Sequence, residues 1–206
     1  MMMVYIESNF VLELVFLQEQ YQSCQQILAL CETGEVRLVL PAFCIAEPYE
    51  AFVRKRNARN VLRQEIMMEL QQLSRSNALP KNLVDALKNV INILTQTNEE
   101  EAQRLHQTLG RILKISETIP VVPDILSLAA TFQEEPLELS LQDSIVYASI
   151  VHHLDNHNAS QKCFLNRNSR DFNKPDIHAT LKNHNCKLLF SFEKGYNYIK
   201  SQVGRN

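Results

Sequence analysis

Short apolar segments alternate with long helix-forming stretches along this chain, and that alternation limits the fold more than any other feature. Met3–Ile6, Val36–Leu40, Lys162–Leu165 and Lys187–Phe190 read as strands, and Ile119–Val122 as a further extended segment. Between the first two, Leu14, Leu17, Tyr21, Cys24, Leu28 and Cys31 recur at steps of three and four, the mark of one apolar helix face. Ser8 or Asn9 is the expected cap of that helix, and Thr33-Gly34 its end. Pro41 opens the next helix, and Pro48 kinks it or delays its start, having no N–H to donate. Residues from about 50 to 116 read as helical, interrupted at Pro80, with Asn98 and Glu101 resembling a capping box. Helices follow from about Asp124 and over Ser140–Leu154, the latter apolar on most sides and expected to be buried. Strands separated by helices indicate an α/β fold with a parallel sheet covered on both faces. Ligand chemistry in such sheets sits at the carboxyl ends of the strands.

Composition narrows the function classes. A chain of 206 residues with 45% hydrophobic content and a net charge of −2 is globular, not disordered. It holds 4 glycines, and neither GxGxxG nor GxxxxGK[ST] occurs, so phosphate-cradling glycine loops are excluded. No stretch approaches the roughly 18 apolar residues of a membrane span. The best run, Phe10–Leu17, carries Glu13, and Glu7 lies where a signal peptide would be basic or apolar. A cytoplasmic protein without membrane contact is therefore expected. The five cysteines include no CxxC pair and read as reduced core thiols.

The strand ends carry the chemistry. Glu7 directly follows the first strand, and Glu47 lies near the start of the helix after the second. Asp143 falls in the first turn of the buried helix, where with Ser140 it could also form a capping box. Asn168 and Asp171 follow the strand ending at Leu165. Four segments thus deliver carboxylate or amide oxygens to one side of the sheet. Clustered carboxylates repel unless protons or cations neutralise them. Magnesium or manganese, hard cations with a preference for oxygen, are the expected answer. Two such ions about 4 Å apart can activate a water and stabilise the leaving oxygen of a phosphodiester.

These segments resemble the PIN-domain ribonucleases. Ile6-Glu7-Ser8-Asn9 is similar to the family's opening strand-Asp-Ser/Thr-Asn motif, and Leu40-Pro41-Ala42-Phe43-Cys44-Ile45-Ala46-Glu47 to its second segment. Leu139-Ser140-Leu141-Gln142-Asp143-Ser144-Ile145-Val146-Tyr147-Ala148 resembles the L-S-x-x-D-A-x-I-x-A block, and Phe164-Leu165-Asn166-Arg167-Asn168-Ser169-Arg170-Asp171-Phe172 the T-R-N-x-x-D-F turn. The blocks occur in family order. The resemblance implies one PIN-like domain over 1–206, a three-layer sandwich with a central parallel sheet. Its core would span about 3–50 and 117–192, with a helical insertion over about 52–116. It implies a VapC-like, metal-dependent endoribonuclease that hydrolyses RNA with water and without a covalent intermediate. Glu7, Glu47, Asp143 and Asp171 would be catalytic, and the same four with Asn168 would hold magnesium or manganese. Ser8, Asn9 and Asn166 would support them. It extends to a homodimer and to a toxin held by an antitoxin protein. Three positions depart from the pattern. Asn166 replaces Thr or Ser, Ser144 replaces Ala, and Glu7 replaces Asp, reaching about 1.5 Å further.

Within the insertion, Arg54, Lys55, Arg56, Arg59 and Arg63 form a basic cluster free of acids between Ala51 and Gln64, a candidate RNA-phosphate contact. Arg56, Arg59 and Arg63 share a helix face. His153 and His157, four apart, have zinc-ligand spacing, but HExxH is absent and the run ends a helix, where the dipole alone favours histidine. They are read here as helix-end residues. The alternative function is a catalytically degenerate PIN-like module that binds RNA or a protein without cleavage, with Glu7 as its main support. An unrelated phosphohydrolase ranks last, since no nucleophile elbow is present.

Overall fold

The computed structural model describes residues 1–75, 80–157 and 161–204. By compactness the chain divides into two units, Met1–Glu47 with Thr108–Asn206, and Pro48–Gln107.

The first unit is built on five parallel strands, β1 (Met2–Ile6), β2 (Val36–Pro41), β3 (Ser116–Ile119), β4 (Lys162–Leu165) and β5 (Cys186–Leu189). Their order in the sheet is β3-β2-β1-β4-β5. The central strand β1 is buried along its whole length, as a strand covered on both faces must be. The chain moves one way across the sheet from β1 to β3 and the other way from β3 to β5. Parallel crossovers are right-handed, so this reversal puts helices on both faces. α1 (Ser8–Phe16), α2 (Tyr21–Glu32) and α9 (Phe192–Val203) pack together in one group, and α5 (Pro123–Phe132) packs on α6 (Leu141–Asn156). α7 (Ser169–Phe172) and α8 (Pro175–Asn183) join β4 to β5. The result is an α/β sandwich with a central parallel sheet, as expected. α9 approaches β4 closely at Gly195, where a Cβ would stand 2.7 Å from Leu165 Cδ2. All five cysteines are buried and unpaired, and burial pushes the Cys31 and Cys186 thiols up to about 12. Among the described residues no helix is long and apolar enough to cross a membrane.

Three local expectations are corrected. The helix expected to run unbroken to Thr33 is two helices, because the chain turns around Glu13. Leu17 takes a left-handed conformation with φ 49°, and its N–H and that of Gln18 both donate to the Glu13 carbonyl. The Glu13 carboxylate, fully buried, accepts from Gln20 N–H at 2.8 Å and pairs with Arg167. The cap of α1 is Glu7, not Ser8 or Asn9: its side chain accepts from the Asn9 N–H. The third strand begins at Ser116 and ends at Ile119, earlier than expected, since an edge strand tolerates the polar Ser116-Glu117-Thr118 that hides it.

The second unit carries most of α3 (Ala46–Leu73) and of α4 (Lys81–Ile115), with Pro80 before α4 as expected; residues 76–79 of the expected helical stretch lie outside the described residues. A short 3-10 turn, Ala42–Ile45, separates β2 from α3, so Pro48 falls in the first turn of α3, where no N–H is needed. Arg59 grips Glu101 with both terminal nitrogens, at 2.5 and 2.8 Å, and reaches Asn98 at 3.1 Å. Arg63 reaches Thr95 at 3.4 Å. Partners advance along α3 as they retreat along α4, so these helices run antiparallel. Asn98 and Glu101 therefore lie mid-helix as partners of Arg59 and are not a capping box.

Candidate metal and nuclease site

The reversal of strand order falls between β1 and β4, and the crevice at their carboxyl ends is where ligands bind in sheets of this kind. Ile6 and Leu165 are paired across these strands, so Glu7 and Asn166 are the next residues out of each.

Glu7 is 5% exposed, and its two oxygens differ. Oε2 accepts from the Asn9 N–H at 2.8 Å and from the Ser8 hydroxyl at 3.1 Å. Oε1 is buried with no hydrogen-bond partner among the described residues. Burial, above all, pushes its carboxyl up to about 7 from the ordinary 4.5; hydrogen bonds from Asn9 and Ser8 oppose this, and the Glu47 charge adds to it. The Ser8 hydroxyl also bonds Oε2 of Glu47, which is exposed in the first turn of α3. One hydroxyl proton cannot serve two carboxylates at once. The pair therefore requires a proton on one acid or a cation between them.

Asp143 and Asn168 form the other half. Ser140 caps α6, its hydroxyl accepting from the Asp143 N–H at 3.1 Å and donating to Asp143 Oδ2 at 2.7 Å. The other oxygen, Oδ1, receives the Asn168 side-chain amide at 3.4 Å. Asn168 is set by the buried Asn166, whose Oδ1 accepts its N–H at 2.6 Å. It in turn caps α7 by accepting the Asp171 N–H at 3.3 Å, which fixes Asp171 on the same turn.

Acids of both halves act electrostatically on Cys44. Its thiol is pushed well up, first by burial, then by the charge of Glu7, with Glu47 and Asp143 adding to it. Three acids from different segments thus act on one buried sulfur. Sequence reasoning missed the Glu13–Arg167 pair, whose only signal was an acid interrupting an apolar run.

By its oxygen chemistry the donor set suits a hard divalent cation, but Glu7, Glu47 and Asp143 are not among the described residues whose ligand atoms lie within 4.8 Å of one another. The set offers a buried carboxylate oxygen that no described residue satisfies, a second acid sharing its hydroxyl, and a third held from behind by a helix cap.

The basic cluster lies on α3 in the second unit. Arg54, Lys55 and Arg56 are exposed, with the Arg56 guanidinium 5.4 Å from the Phe52 ring centre. Arg59 and Arg63 turn toward α4.

A third group lies elsewhere in the first unit. Glu117, His153 and His157 bring ligand-type atoms within 4.8 Å of one another. Glu117 was not singled out in the sequence, because it belongs to the polar edge strand. Its carboxyl sits below the usual range: burial would raise it, but the His153 hydrogen bond and the charges of His153, Arg37 and His157 outweigh that. Burial also lowers the His153 imidazole, with Glu117 opposing.

A family model described as a PIN domain matches residues 4–172. No curated protein and no solved structure matches the chain.

Proposed function

This chain belongs to the PIN-domain family, and on that premise we propose that it is a metal-dependent endoribonuclease hydrolysing RNA phosphodiester bonds. Family membership supports nuclease-type chemistry and divalent-metal use in general. The finer reading rests on one observation: the buried, unpartnered Glu7 Oε1, beside a hydroxyl shared with Glu47, at the point where strand order reverses.

In this reading Glu7, Glu47 and Asp143 would hold magnesium or manganese, with Asn168 or Asp171 completing the set. The bound ion would supply water activation and neutralisation of charge on the phosphodiester. The chain's own residues prepare that site. Asn9 and Ser8 fix one oxygen of Glu7 and leave the other free. Ser140 holds Asp143 Oδ2, which orients Oδ1 toward the Asn168 amide. Asn166 fixes Asn168 from below. Arg54, Lys55 and Arg56 are the exposed cations that would neutralise RNA phosphates. Arg59 and Arg63 would contribute less, since their guanidinium groups turn toward α4. A homodimer and regulation by an antitoxin protein extend the same proposal.

The test is cleavage of a labelled single-stranded RNA in manganese by the parent chain, with Asp143→Asn purified in parallel. Cleavage by the parent and none by the variant supports the proposal. Equal cleavage by both removes Asp143 from the site. No cleavage by either across several RNA sequences favours the second reading, a module that binds without cutting. The specific observation behind that second reading is the structural use of Glu7 as the cap of α1.

A further inference from the structure

Glu117 is the second residue of β3, and His153 and His157 lie one turn apart at the carboxyl end of α6. His153 follows Asp143 by ten residues of helix, about 15 Å, so this cluster is separate from the carboxylate site. The two imidazole rings stack, with centroids 3.7 Å apart and planes 9° from parallel. Both Nε2 atoms face the same carboxylate oxygen, Glu117 Oε1, at 3.2 Å from His153 and 3.5 Å from His157.

The hydrogen bonds on the far side of each ring decide what that arrangement can accept. His157 Nδ1 lies 2.9 Å from the His153 carbonyl, which can only accept, so Nδ1 carries the proton. A neutral His157 then keeps its Nε2 lone pair available to a cation, 3.5 Å from the carboxylate oxygen that His153 Nε2 also faces. His153 Nδ1 is likewise occupied, by the buried Tyr5 hydroxyl at 2.9 Å, and Glu117 Oε2 is held by Arg37 at 3.3 Å. Ligating histidines and carboxylates are typically oriented in this way by a second set of hydrogen bonds.

From this geometry we propose that Glu117, His153 and His157 form a second metal site, one for zinc, with two imidazole nitrogens and one carboxylate oxygen as ligands. A tetrahedral zinc ion with bonds near 2.05 Å sets its ligand atoms roughly 3.3 Å apart, and the two histidine–glutamate distances fall on either side of that value; because the stacked rings hold their in-plane lone pairs side by side, one imidazole turns about its Cβ–Cγ bond as zinc binds. The carboxyl end of α6 adds its negative dipole. The Glu117 and His157 side chains are 33% and 32% exposed and line a cavity of about 240 Å³, which leaves a fourth position open to water. The ion would tie edge strand β3 to the end of α6.

The experiment uses the full chain, purified without a histidine tag, stripped with chelator, and titrated with Zn²⁺ against a chromophoric competitor. The expected result is one tight equivalent in the parent, retained in Asp143→Asn and accompanied by a rise in Tm. His157→Gln and Glu117→Gln, both at partly exposed positions, should weaken zinc binding by more than tenfold and abolish the Tm rise. Tyr5→Phe should weaken it by about 10–100-fold while keeping all three ligands. Co²⁺ should give tetrahedral visible bands in the parent that are absent in His157→Gln. Zinc affinity equal in the parent and in both ligand variants would overturn the proposal. So would loss of the tight equivalent in Asp143→Asn, which would place the zinc among the acids.

Discussion

Replacing Glu7 by Gln should make the metal-free protein more stable at alkaline pH while abolishing its proposed activity. The reasoning is electrostatic. The Glu7 carboxyl is pushed up from 4.5 to about 7 by burial. A group whose folded pKa is raised contributes stability that is complete below the unfolded value and is lost as pH rises through the folded one. A shift of this size corresponds to about 3 kcal/mol of native-state destabilisation at pH 8, of which about 2.5 kcal/mol develops between pH 5 and pH 8. Gln carries no charge and escapes that loss. Its amide can still accept from Asn9 and Ser8 through oxygen, but its NH2 takes the place of Oε1, a buried atom with no hydrogen-bond partner among the described residues. That unmet donor costs about 1 kcal/mol. The variant should therefore match the parent near pH 5 and exceed it by about 2 kcal/mol at pH 8. Urea unfolding in chelator at the two pH values measures this, and titrations common to both proteins cancel in the difference. Manganese should then raise the stability of the parent and not of the variant. A parent–variant difference identical at pH 5 and pH 8 would refute the argument that Glu7 is held, poorly solvated, for a cation.

Ser140→Ala removes the cap of α6 and the hydrogen bond to Asp143 Oδ2, and should cost about 1 kcal/mol in chemical unfolding while slowing RNA cleavage. Arg167→Ala leaves the fully buried Glu13 carboxylate without its cation; thermal unfolding should show a loss of about 2–3 kcal/mol, toward the low end for such pairs because Arg167 is one-third exposed. Arg59→Ala should destabilise the helical unit by about 3 kcal/mol, since Glu101 is 6% exposed on its side chain; unchanged stability with weakened RNA binding would show instead that Arg59 serves RNA.

His153 and His157, read from the sequence as helix-end residues, both stand against Glu117 in the structure. Spacing of four on a helix shows that His153 and His157 can act together, but not what they face. Glu117, the residue that completes the set, is 36 positions before His153 in a strand whose polar sequence conceals it. The same limit applies to the basic cluster. Periodicity placed Arg59 and Arg63 on one face of α3 correctly, yet that face meets α4, where Glu101, Asn98 and Thr95 receive it.

The sequence by itself determined the element types and their order. Buried parallel strands need near-continuous apolar runs, and amphipathic helices need steps of three and four, so both leave a local signature. It also determined that acids follow β1, β2 and β4 or open α6, because a parallel sheet turns each strand's carboxyl end toward the same side. Only the tertiary structure decided which oxygen of Glu7 is left unsatisfied, that Ser8 is shared with Glu47, and that Asn168 turns its amide to Asp143. Only it decided that the first helix breaks around the buried Glu13 carboxylate and that Glu117 stands before two imidazoles. These outcomes depend on contacts between segments far apart in the chain. Local periodicity specifies the face a residue occupies, whereas its charge state and partner follow from what packing brings against that face.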